Sequence, residues 1–126
     1  MVLVDTSVWI NHFRKTDARL VALLKVEAVA AHPFVIGELA CGNLGNRKEI
    51  IASLSALPDA SKVEDDEVLL FIECHALMGR GIGLIDAHIL ASCCVDSSLL
   101  WTSDKRLQSV ANDIRIAFNP ANQTVD

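Results

Sequence analysis

Short apolar segments alternate along the chain with longer segments in which apolar residues recur at helical spacing. The first short segment, Val2–Val4, is rich in β-branched residues and ends at Asp5, which predicts a buried strand. Further strands are predicted at residues 28–32, 61–63, 99–102 and 114–117. Because helices are predicted between these strands, the pattern indicates an α/β fold, a three-layer α/β/α sandwich in which a central, mainly parallel sheet lies between helices.

The helices are predicted from capping residues and from the spacing of apolar positions. Their predicted first residues or caps are Thr6 or Ser7, Asp17, Pro33, Asn46, Asp65 or Asp66, Ile85 and Asp104. Where the pattern also marks an end, the helices end at Phe13, Gly42, Leu57, Met78 and Val95. Since the sequence contains no repeat or linker, we expect a single domain over residues 1–126, with a frayed tail over about residues 119–126.

Composition limits the classes of protein to which the chain can belong. Of its 126 residues, 52% are hydrophobic and 21% are charged, which excludes a disordered chain. The formal net charge is -5 and the Lys and Arg residues are scattered, so charge argues against strong non-specific binding to nucleic acid. The apolar stretch at residues 84–101 is interrupted by Asp86 and Asp96, so we do not expect it to span a membrane.

The cysteines and the first residues indicate the compartment. Four cysteines, with neither a CxxC pair nor the spacing of zinc ligands, occur at Cys41, Cys74, Cys93 and Cys94. We therefore expect reduced, packed thiols and a cytoplasmic protein. No Lys or Arg precedes Arg14, so the basic start of a secretory signal peptide is not expected either.

Four of the 16 acidic residues lie where carboxylates are unusual. Asp5 and Asp104 lie at the carboxyl ends of predicted strands, and Asp86 begins a helix after the glycine-rich run GRGIG. Glu38 lies within VIGELACG, where every other residue is apolar or small, and burying a carboxylate without a partner costs on the order of several kcal/mol. By contrast, the acidic run at residues 64–67 stands at a predicted helix start and is typical of a solvated N-terminus.

These four acids have two interpretations. Asp5, Asp86 and Asp104 can each be a plain helix cap. Glu38 falls within its predicted helix, which makes capping a poor explanation for it. The carboxyl edge of an open parallel sheet is also where ligands bind, and carboxylates gathered there raise one another's pKa unless a cation relieves the repulsion. Since Mg²⁺ and Mn²⁺ prefer oxygen ligands, the joint pattern predicts a divalent metal site with which Glu38 pairs, directly or through water.

Four segments, VDTSVWI, HPFVIGELACG, GRGIGLIDAHILAS and LWTSDKRL, resemble the motifs of PIN-domain ribonucleases, and most closely those of the toxins of VapBC toxin–antitoxin systems. The resemblance covers essentially the whole chain, in order, and no acidic position is missing. It implies four catalytic acids that also bind the metal, namely Asp5, Glu38, Asp86 and Asp104. It also implies two supporting hydroxyl positions, Thr6 and Thr102.

The same resemblance implies an activity and partners. The activity is that of a Mg²⁺- or Mn²⁺-dependent endoribonuclease, which cuts structured cellular RNA, leaves a 5′-phosphate and a 3′-hydroxyl, and stops translation. The implied partners are a second copy of the chain and a small VapB-like antitoxin that inhibits the active site. The acids agree with this chemistry, because metal ions held by carboxylates can activate water and neutralise charge during phosphodiester hydrolysis.

Other polar residues are weaker candidates. Five cations are interpreted as surface charges and as the best candidates for contacts to RNA phosphates: Arg14, Lys15, Arg19, Lys105 and Arg106. His88 does not share a helix face with Asp86, so we expect a structural or supporting role for it. Trp9 and Trp101 are expected in the core.

Two other functions remain open. An aspartate-based phosphatase or phosphoacceptor also places an Asp after its first strand, but a haloacid-dehalogenase-type phosphatase requires a second Asp where Ser7 stands. A response-regulator receiver requires further acids beside the first strand, and none occurs between Asp5 and Asp17. A non-catalytic module that binds RNA or protein would share the fold, although such a module would be free to lose the four acids.

Overall fold

The computed structural model describes residues 1–122, which form three strands and seven α-helices. The strands are β1 (Val2–Val4), β2 (Val29–Ala30) and β3 (Leu99–Trp101). The helices are α1 (Thr6–Arg14), α2 (Ala18–Lys25), α3 (Pro33–Cys41), α4 (Arg47–Ser55), α5 (Asp65–Cys74), α6 (Leu84–Asp96) and α7 (Lys105–Asp113). Within the predicted frayed tail, Pro120–Asn122 form a short 3-10 helix, and residues 123–126 lie outside the described residues.

The three strands form one parallel sheet in the order β2–β1–β3. Val2 of β1 pairs with Val29 on one side and with Leu99 on the other. Helices cover both sides of the sheet, so the predicted three-layer α/β/α architecture is confirmed. Because the strands run in the same direction, the residues that follow β1 and β3 meet at one edge of the sheet.

The prediction of a strand at residues 61–63 is wrong. The chain pairs with the sheet two residues earlier, where Asp59 forms a single parallel bridge. Ser61 is bound to α6 instead, because its N–H donates to Asp96 at 2.8 Å and its carbonyl oxygen accepts from the Ser92 hydroxyl at 2.5 Å. Since both backbone polar groups of Ser61 are used by helix side chains, the segment does not continue the sheet.

The strand predicted at residues 114–117 reduces to a single bridge with Leu100 of β3. Arg115 has a φ of 64°, in the left-handed region, so the chain turns there and does not extend. Helix α5 likewise ends before its predicted end at Met78, because Ala76 has a φ of 51°. Positive φ at two non-glycine residues thus interrupts regular structure that the apolar pattern predicted.

The core lies between the sheet and the helices. Leu3 and Val4 of β1 and Leu100 of β3 are each at most 1% exposed, and they pack with buried residues of α2, α3 and α6. Trp9 and Trp101 are 3% and 4% exposed, which confirms the prediction that both belong to the core. These contacts hold the carboxyl ends of β1 and β3 in a fixed relation.

The cysteines only partly follow their prediction. All four are free thiols. Cys93 is buried as predicted, and burial raises its pKa to about 12. Cys41, Cys74 and Cys94 are exposed, so the prediction of packed thiols is wrong for these three. Over residues 1–122, no helix has the length and apolar character that crossing a membrane would require.

Candidate active site

The four predicted acids come from four separate elements of the fold. Asp5 follows β1 and stands immediately before α1, and Asp104 follows β3 and stands immediately before α7. Both therefore lie at the carboxyl edge of the sheet, as predicted. The other two come from helices, since Glu38 lies in α3 and Asp86 in the first turn of α6.

Asp5 is buried, with 6% of its surface exposed, and its carboxylate is held by hydroxyl groups. Its Oδ2 accepts hydrogen bonds from Ser7 Oγ at 2.8 Å and from Thr102 Oγ1 at 2.7 Å. The side chain makes no capping bond to α1, so the helix-cap interpretation is wrong for Asp5. Among the described residues nothing donates to Oδ1, which leaves this oxygen available to a ligand.

The hydroxyls that hold Asp5 are themselves oriented by the backbone after β3. The N–H of Ser103 donates to Ser7 Oγ at 3.0 Å, and the N–H of Asp104 donates to Thr102 Oγ1 at 3.1 Å. Each hydroxyl accepts from the backbone and donates to Asp5, which sets the direction of its proton. Thr102 was predicted to support the site, whereas Ser7 was missed, since its only sequence signal is its place two residues after a strand-end Asp.

Glu38 differs from its prediction. Its side chain is on the exposed face of α3, while Val35 and Leu39 face the core. The expectation of a buried carboxylate is therefore wrong, because neighbours in sequence lie on different faces of a helix. Thr6, the residue after Asp5, was predicted to support the site through its hydroxyl. Its Oγ1 donates a hydrogen bond to Glu38 Oε1 at 2.8 Å, which joins α1 to α3.

Asp104 is exposed and caps α7. Its Oδ1 accepts hydrogen bonds from the backbone N–H groups of Arg106 at 2.9 Å and Leu107 at 3.0 Å. The helix-cap interpretation is therefore right for Asp104. Capping uses one of the two carboxylate oxygens, so it leaves Oδ2 for a ligand.

Asp86 responds to the charges of the other three acids. It is half-buried, and its Oδ2 accepts a hydrogen bond from the N–H of Gly83 at 3.0 Å. Burial raises the pKa of Asp86, and the hydrogen bond from Gly83 opposes that rise. The pKa is raised further by three negative charges, those of Asp5, Asp104 and Glu38. The fold therefore brings Asp5, Asp104 and Glu38 within electrostatic reach of Asp86.

The four carboxylates share one pattern of hydrogen bonding. In each, one oxygen accepts from a protein donor and the other accepts nothing from residues 1–122. The held oxygens are Asp5 Oδ2, Glu38 Oε1, Asp86 Oδ2 and Asp104 Oδ1. The free oxygens are a donor set that fits Mg²⁺ or Mn²⁺ and not a zinc site of Cys and His.

The spacing of the acids limits how they could hold an ion. Among the described residues, no three Asp, Glu, His or Cys side chains stand close enough together to ligate one ion directly. Magnesium usually takes one or two carboxylates and completes its shell with water and phosphate oxygens. The arrangement therefore fits an ion that one or two carboxylates bind directly and whose remaining ligands are water and the phosphate oxygens of a substrate.

The raised pKa of Asp86 predicts how stability depends on pH in the absence of metal. The folded protein holds the Asp86 proton more tightly than the unfolded chain, so this residue's contribution to the free energy of unfolding falls as pH rises from 3.8 through the raised pKa. Asp86→Asn removes that loss. We expect the metal-free variant to melt with the parent near pH 4 and above it at pH 7.

Thermal melts in EDTA at the two pH values test this expectation. Asp59→Asn is the matched control, because the exposed Asp59 side chain makes neither a hydrogen bond nor an ion pair with the described residues, and it should follow the parent at both. A melting temperature of Asp86→Asn below that of the parent at pH 7 would instead mark Asp86 as a stabilising, partnered carboxylate.

The basic side chains predicted to contact RNA differ in whether their charges are already paired within the protein. Arg19 is paired with Asp17 at 2.8 Å and lies 5.5 Å from the centre of the Trp101 ring, so its charge is already used. Arg14 is exposed and lines, together with Glu38, a cavity of about 580 Å³. The remaining predicted cations, all exposed, are Lys15, Lys105 and Arg106.

The two buried histidines, His88 and His32, contact neighbouring parts of the fold. His88 is 2% exposed and its Nε2 lies 3.4 Å from Asp65 Oδ1, which links α6 to α5. His32 is fully buried, and its Nδ1 accepts the N–H of Phe34 at 3.0 Å at the start of α3. Burial lowers the pKa of His32 to about 4, so the ring is neutral at pH 7.

Comparison with known proteins identifies the family. The family model of the PIN domain matches residues 2–113. The chain belongs to the PIN domain family. Ribonuclease VapC32 of Mycobacterium tuberculosis is 44% identical to it over 119 residues, which are 94% of this chain and 96% of that protein. The predicted likeness to VapC-type PIN domains is therefore confirmed.

Two solved structures have the same fold as this PIN domain. PAE2754 from Pyrobaculum aerophilum superposes with a TM-score of 0.67 at 18% identity, over 95% of this chain and 89% of that one. FitAcB from Neisseria gonorrhoeae superposes with a TM-score of 0.59 at 21% identity, over 98% of this chain and 100% of that one. At these identities the likeness concerns the fold alone.

Proposed function

We propose that this PIN domain is a metal-dependent endoribonuclease and the toxin of a type II toxin–antitoxin system, which hydrolyses RNA phosphodiester bonds in the cytoplasm and inhibits translation. The observation that carries the proposal is the group of four carboxylates, each with one oxygen held by the protein and one oxygen free. The 44% identity to a protein that bears the name ribonuclease supports the same activity.

The proposed catalytic residues, which also bind Mg²⁺ or Mn²⁺ directly or through water, are Asp5, Glu38, Asp86 and Asp104. The bound metal would supply an activated water and would neutralise charge on the phosphoryl oxygens. Ser7 and Thr102 hold Oδ2 of Asp5 and thereby leave Oδ1 for the metal or its water. Thr6 orients Glu38 through one carboxylate oxygen in the same way.

RNA phosphates must approach four negative charges, so basic side chains near the acids are needed to attract them. We propose that four exposed cations make these contacts: Arg14, Lys15, Lys105 and Arg106. Such contacts to phosphate position an RNA and do not read its sequence.

Incubation of the purified protein with total RNA and Mn²⁺, with and without EDTA, tests the proposed activity. We expect cleavage with Mn²⁺ and none with EDTA. Binding of RNA without cleavage under any metal condition would contradict the nuclease and support a non-catalytic module. A covalent aspartyl-phosphate formed from acetyl phosphate would contradict it in favour of an aspartate-based phosphatase.

A second prediction concerns stability in the presence of metal. A ligand that binds only the folded protein at ten times its Kd stabilises it by about 1.4 kcal/mol, which corresponds to a rise in melting temperature of roughly 3–6 °C in a domain of this size. We expect Mn²⁺ or Mg²⁺ to produce this rise and matched NaCl to produce none. Glu38→Gln should melt at the parent temperature or above without metal, because it removes one like charge, and should show a smaller rise with metal.

The matched control for Glu38→Gln is Glu73→Gln, an exposed position at the end of α5. It should keep both the melting temperature of the parent and the full rise with metal. If Glu38→Gln lowers the free energy of unfolding of the metal-free protein by several kcal/mol, Glu38 is a partnered structural carboxylate and not a metal ligand.

We propose that the antitoxin inhibits the site by placing an arginine against the four acids. A guanidinium group binds carboxylates through two parallel hydrogen bonds and can replace a metal there. The cavity of about 580 Å³ beside Glu38 has apolar walls from Ile10, Leu39 and Ile50, which suit an apolar segment next to that arginine. Co-purification with the product of an adjacent small open reading frame is the test. The proposal would be contradicted if the protein is active in vitro and is nevertheless tolerated at high expression without any partner.

We also propose a homodimer. Support comes from exposed apolar side chains on the packed helices α5 and α6, namely Leu69, Leu70 and Leu84, which are 61%, 65% and 61% exposed. Sedimentation equilibrium should give a dimer for the parent and a monomer for Leu70→Glu. A monomeric parent at micromolar concentration would contradict the proposal.

A further inference from the structure

The loop between α5 and α6 contains a glycine whose side-chain position is occupied by an arginine of α7. Gly81 has a φ of 80°, and a Cβ added to it would lie 2.7 Å from Arg106 Cδ and 2.9 Å from Arg106 Nη1. The Arg106 side chain therefore lies directly on the Gly81 backbone. Any larger residue at this position would have to displace it.

The same loop reaches one of the four acids. Two residues after Gly81, the N–H of Gly83 donates to Asp86 Oδ2 at 3.0 Å. Two residues span at most about 7 Å of extended chain, so the loop keeps the Arg106 side chain near the start of α6. Along α7, Arg106 follows Asp104 by two positions and donates its own N–H to Asp104 Oδ1. The Arg106 backbone thus contacts Asp104, and the Arg106 side chain lies against the loop that contacts Asp86.

A second contact fastens the loop to α7. Arg80 Nη2 lies 2.7 Å from Asp113 Oδ2 and 3.5 Å from Ser109 Oγ. Arg106, Ser109 and Asp113 recur at helical spacing, so one face of α7 carries the loop. The charge of Arg80 is engaged by Asp113, whereas the Arg106 guanidinium forms neither a hydrogen bond nor an ion pair with the residues that the structure describes.

We propose that Arg106 binds an RNA phosphate at the acidic site and that Gly81 is a positioning residue, because its missing Cβ leaves the space in which the arginine side chain lies against the loop. The inference rests on the proposed function, since it names the phosphate contact of that same site. The unengaged Arg106 guanidinium lies against the loop that leads to Asp86, and it supplies the positive charge that a polyanion needs to approach. Its planar fork can donate two parallel hydrogen bonds to one phosphate. Gly81 acts only through Arg106, so the two residues should be coupled in RNA affinity.

A double-mutant cycle measures this coupling. Gly81→Ala, Arg106→Ala and the combined variant are made in the Asp5→Asn background, in which cleavage is expected to be at least about 100-fold slower. Affinity for a short, fluorescent, single-stranded RNA of mixed sequence is measured by anisotropy with Mg²⁺. Gly79→Ala is the matched control, because its φ of 72° imposes similar backbone strain while a Cβ there has nothing within 4 Å.

Arg106→Ala should weaken RNA binding roughly tenfold. The slope of log affinity against log salt concentration, which is negative, should become less steep by about 0.7, the value for one phosphate contact to a single strand. Gly81→Ala should weaken binding by a similar factor when Arg106 is present. In the Arg106→Ala background, Gly81→Ala should add less than about a factor of two. Gly79→Ala should stay within about a factor of two of its parent.

Three outcomes overturn the inference. They are parental affinity in Arg106→Ala, equal weakening by Gly79→Ala and Gly81→Ala, and full additivity of Gly81→Ala with Arg106→Ala. If Gly81→Ala fails to fold, Gly81→Asn takes its place in the cycle, because asparagine tolerates the left-handed region better while still placing a Cβ against Arg106. Cleavage by the parent protein with Mn²⁺ is scored separately. Absence of cleavage with intact coupling overturns the nuclease alone, and cleavage without coupling overturns the Arg106–Gly81 inference alone.

Discussion

We expect the Asp5→Asn variant to cleave RNA at least about 100-fold more slowly than the parent protein, a loss on the order of 3 kcal/mol of transition-state stabilisation. The substitution keeps the shape of the side chain and its acceptor oxygen, so Ser7 and Thr102 can still donate to it. It removes the negative charge that the proposed metal site requires. The effect should therefore fall on activity and not on folding.

Single-turnover cleavage with Mn²⁺ and thermal melts measure the two quantities on the same samples. Asp66→Asn makes the same chemical change in the exposed run at the start of α5 and should cleave at the parental rate. Parental activity in Asp5→Asn, or equal losses in the two variants, would remove Asp5 from the catalytic group.

The second large effect concerns the hydroxyls that hold Asp5. The Ser7→Ala/Thr102→Val double variant leaves a buried carboxylate without either of its donors. Hydrogen bonds to charged groups contribute about 1.5–3 kcal/mol each, so we expect the free energy of unfolding to fall by about 3 kcal/mol or more. Activity should fall as well, because Asp5 is no longer oriented.

Urea denaturation measures the loss of stability. The same measurement in the Asp5→Asn background shows whether the loss depends on the charge of Asp5. With the neutral amide of Asp5→Asn in place, removal of the two hydroxyls should cost about 1 kcal/mol, because no charge is then left unpaired. Ser53→Ala, at an exposed position of α4, is the matched hydroxyl control and should leave stability unchanged. A loss of equal size in both backgrounds would show that the hydroxyls stabilise the fold independently of the Asp5 charge.

The positions of the acids at the sheet edge could be predicted because they depend on local signals. A β-branched run followed by Asp5, and LLWTSD before α7, indicate where strands end, and parallel strands must end at one edge. The Asp104 cap and the Pro33 helix start are equally local. These features need no knowledge of which strand lies beside which.

The exposure of Glu38 could not be judged from its neighbours in the sequence. Apolar residues surround it along the chain, yet Val35 and Leu39 form the buried face of α3 and leave Glu38 on the other side. The composition of a short segment does not distinguish the faces of a helix when most of its residues are apolar or small. Thr6 donates a hydrogen bond to one oxygen of Glu38, whereas the pairing of Glu38 with a metal stays a prediction.

Non-local contacts account for most of what the sequence did not predict. Ser7 joins the site because β1 and β3 pair so that Val4 lies beside Trp101, which brings Ser7 and the chain after β3 together. The strand at residues 61–63 is lost because Asp96, far along the chain, binds the Ser61 backbone. Such contacts depend on the packed fold, and no periodicity within either segment indicates them.

The chemistry of the RNA ends tests the central claim, that four acids bind metal to hydrolyse a phosphodiester with water. Fragments produced by the parent protein with Mn²⁺ can be analysed by mass spectrometry. We predict 5′-phosphate and 3′-hydroxyl ends, which form only with metal and at least about 100-fold more slowly in Asp5→Asn. Ends with 2′,3′-cyclic phosphate and 5′-hydroxyl, formed also in EDTA, would mean attack by the neighbouring ribose hydroxyl and would contradict the metal-dependent site.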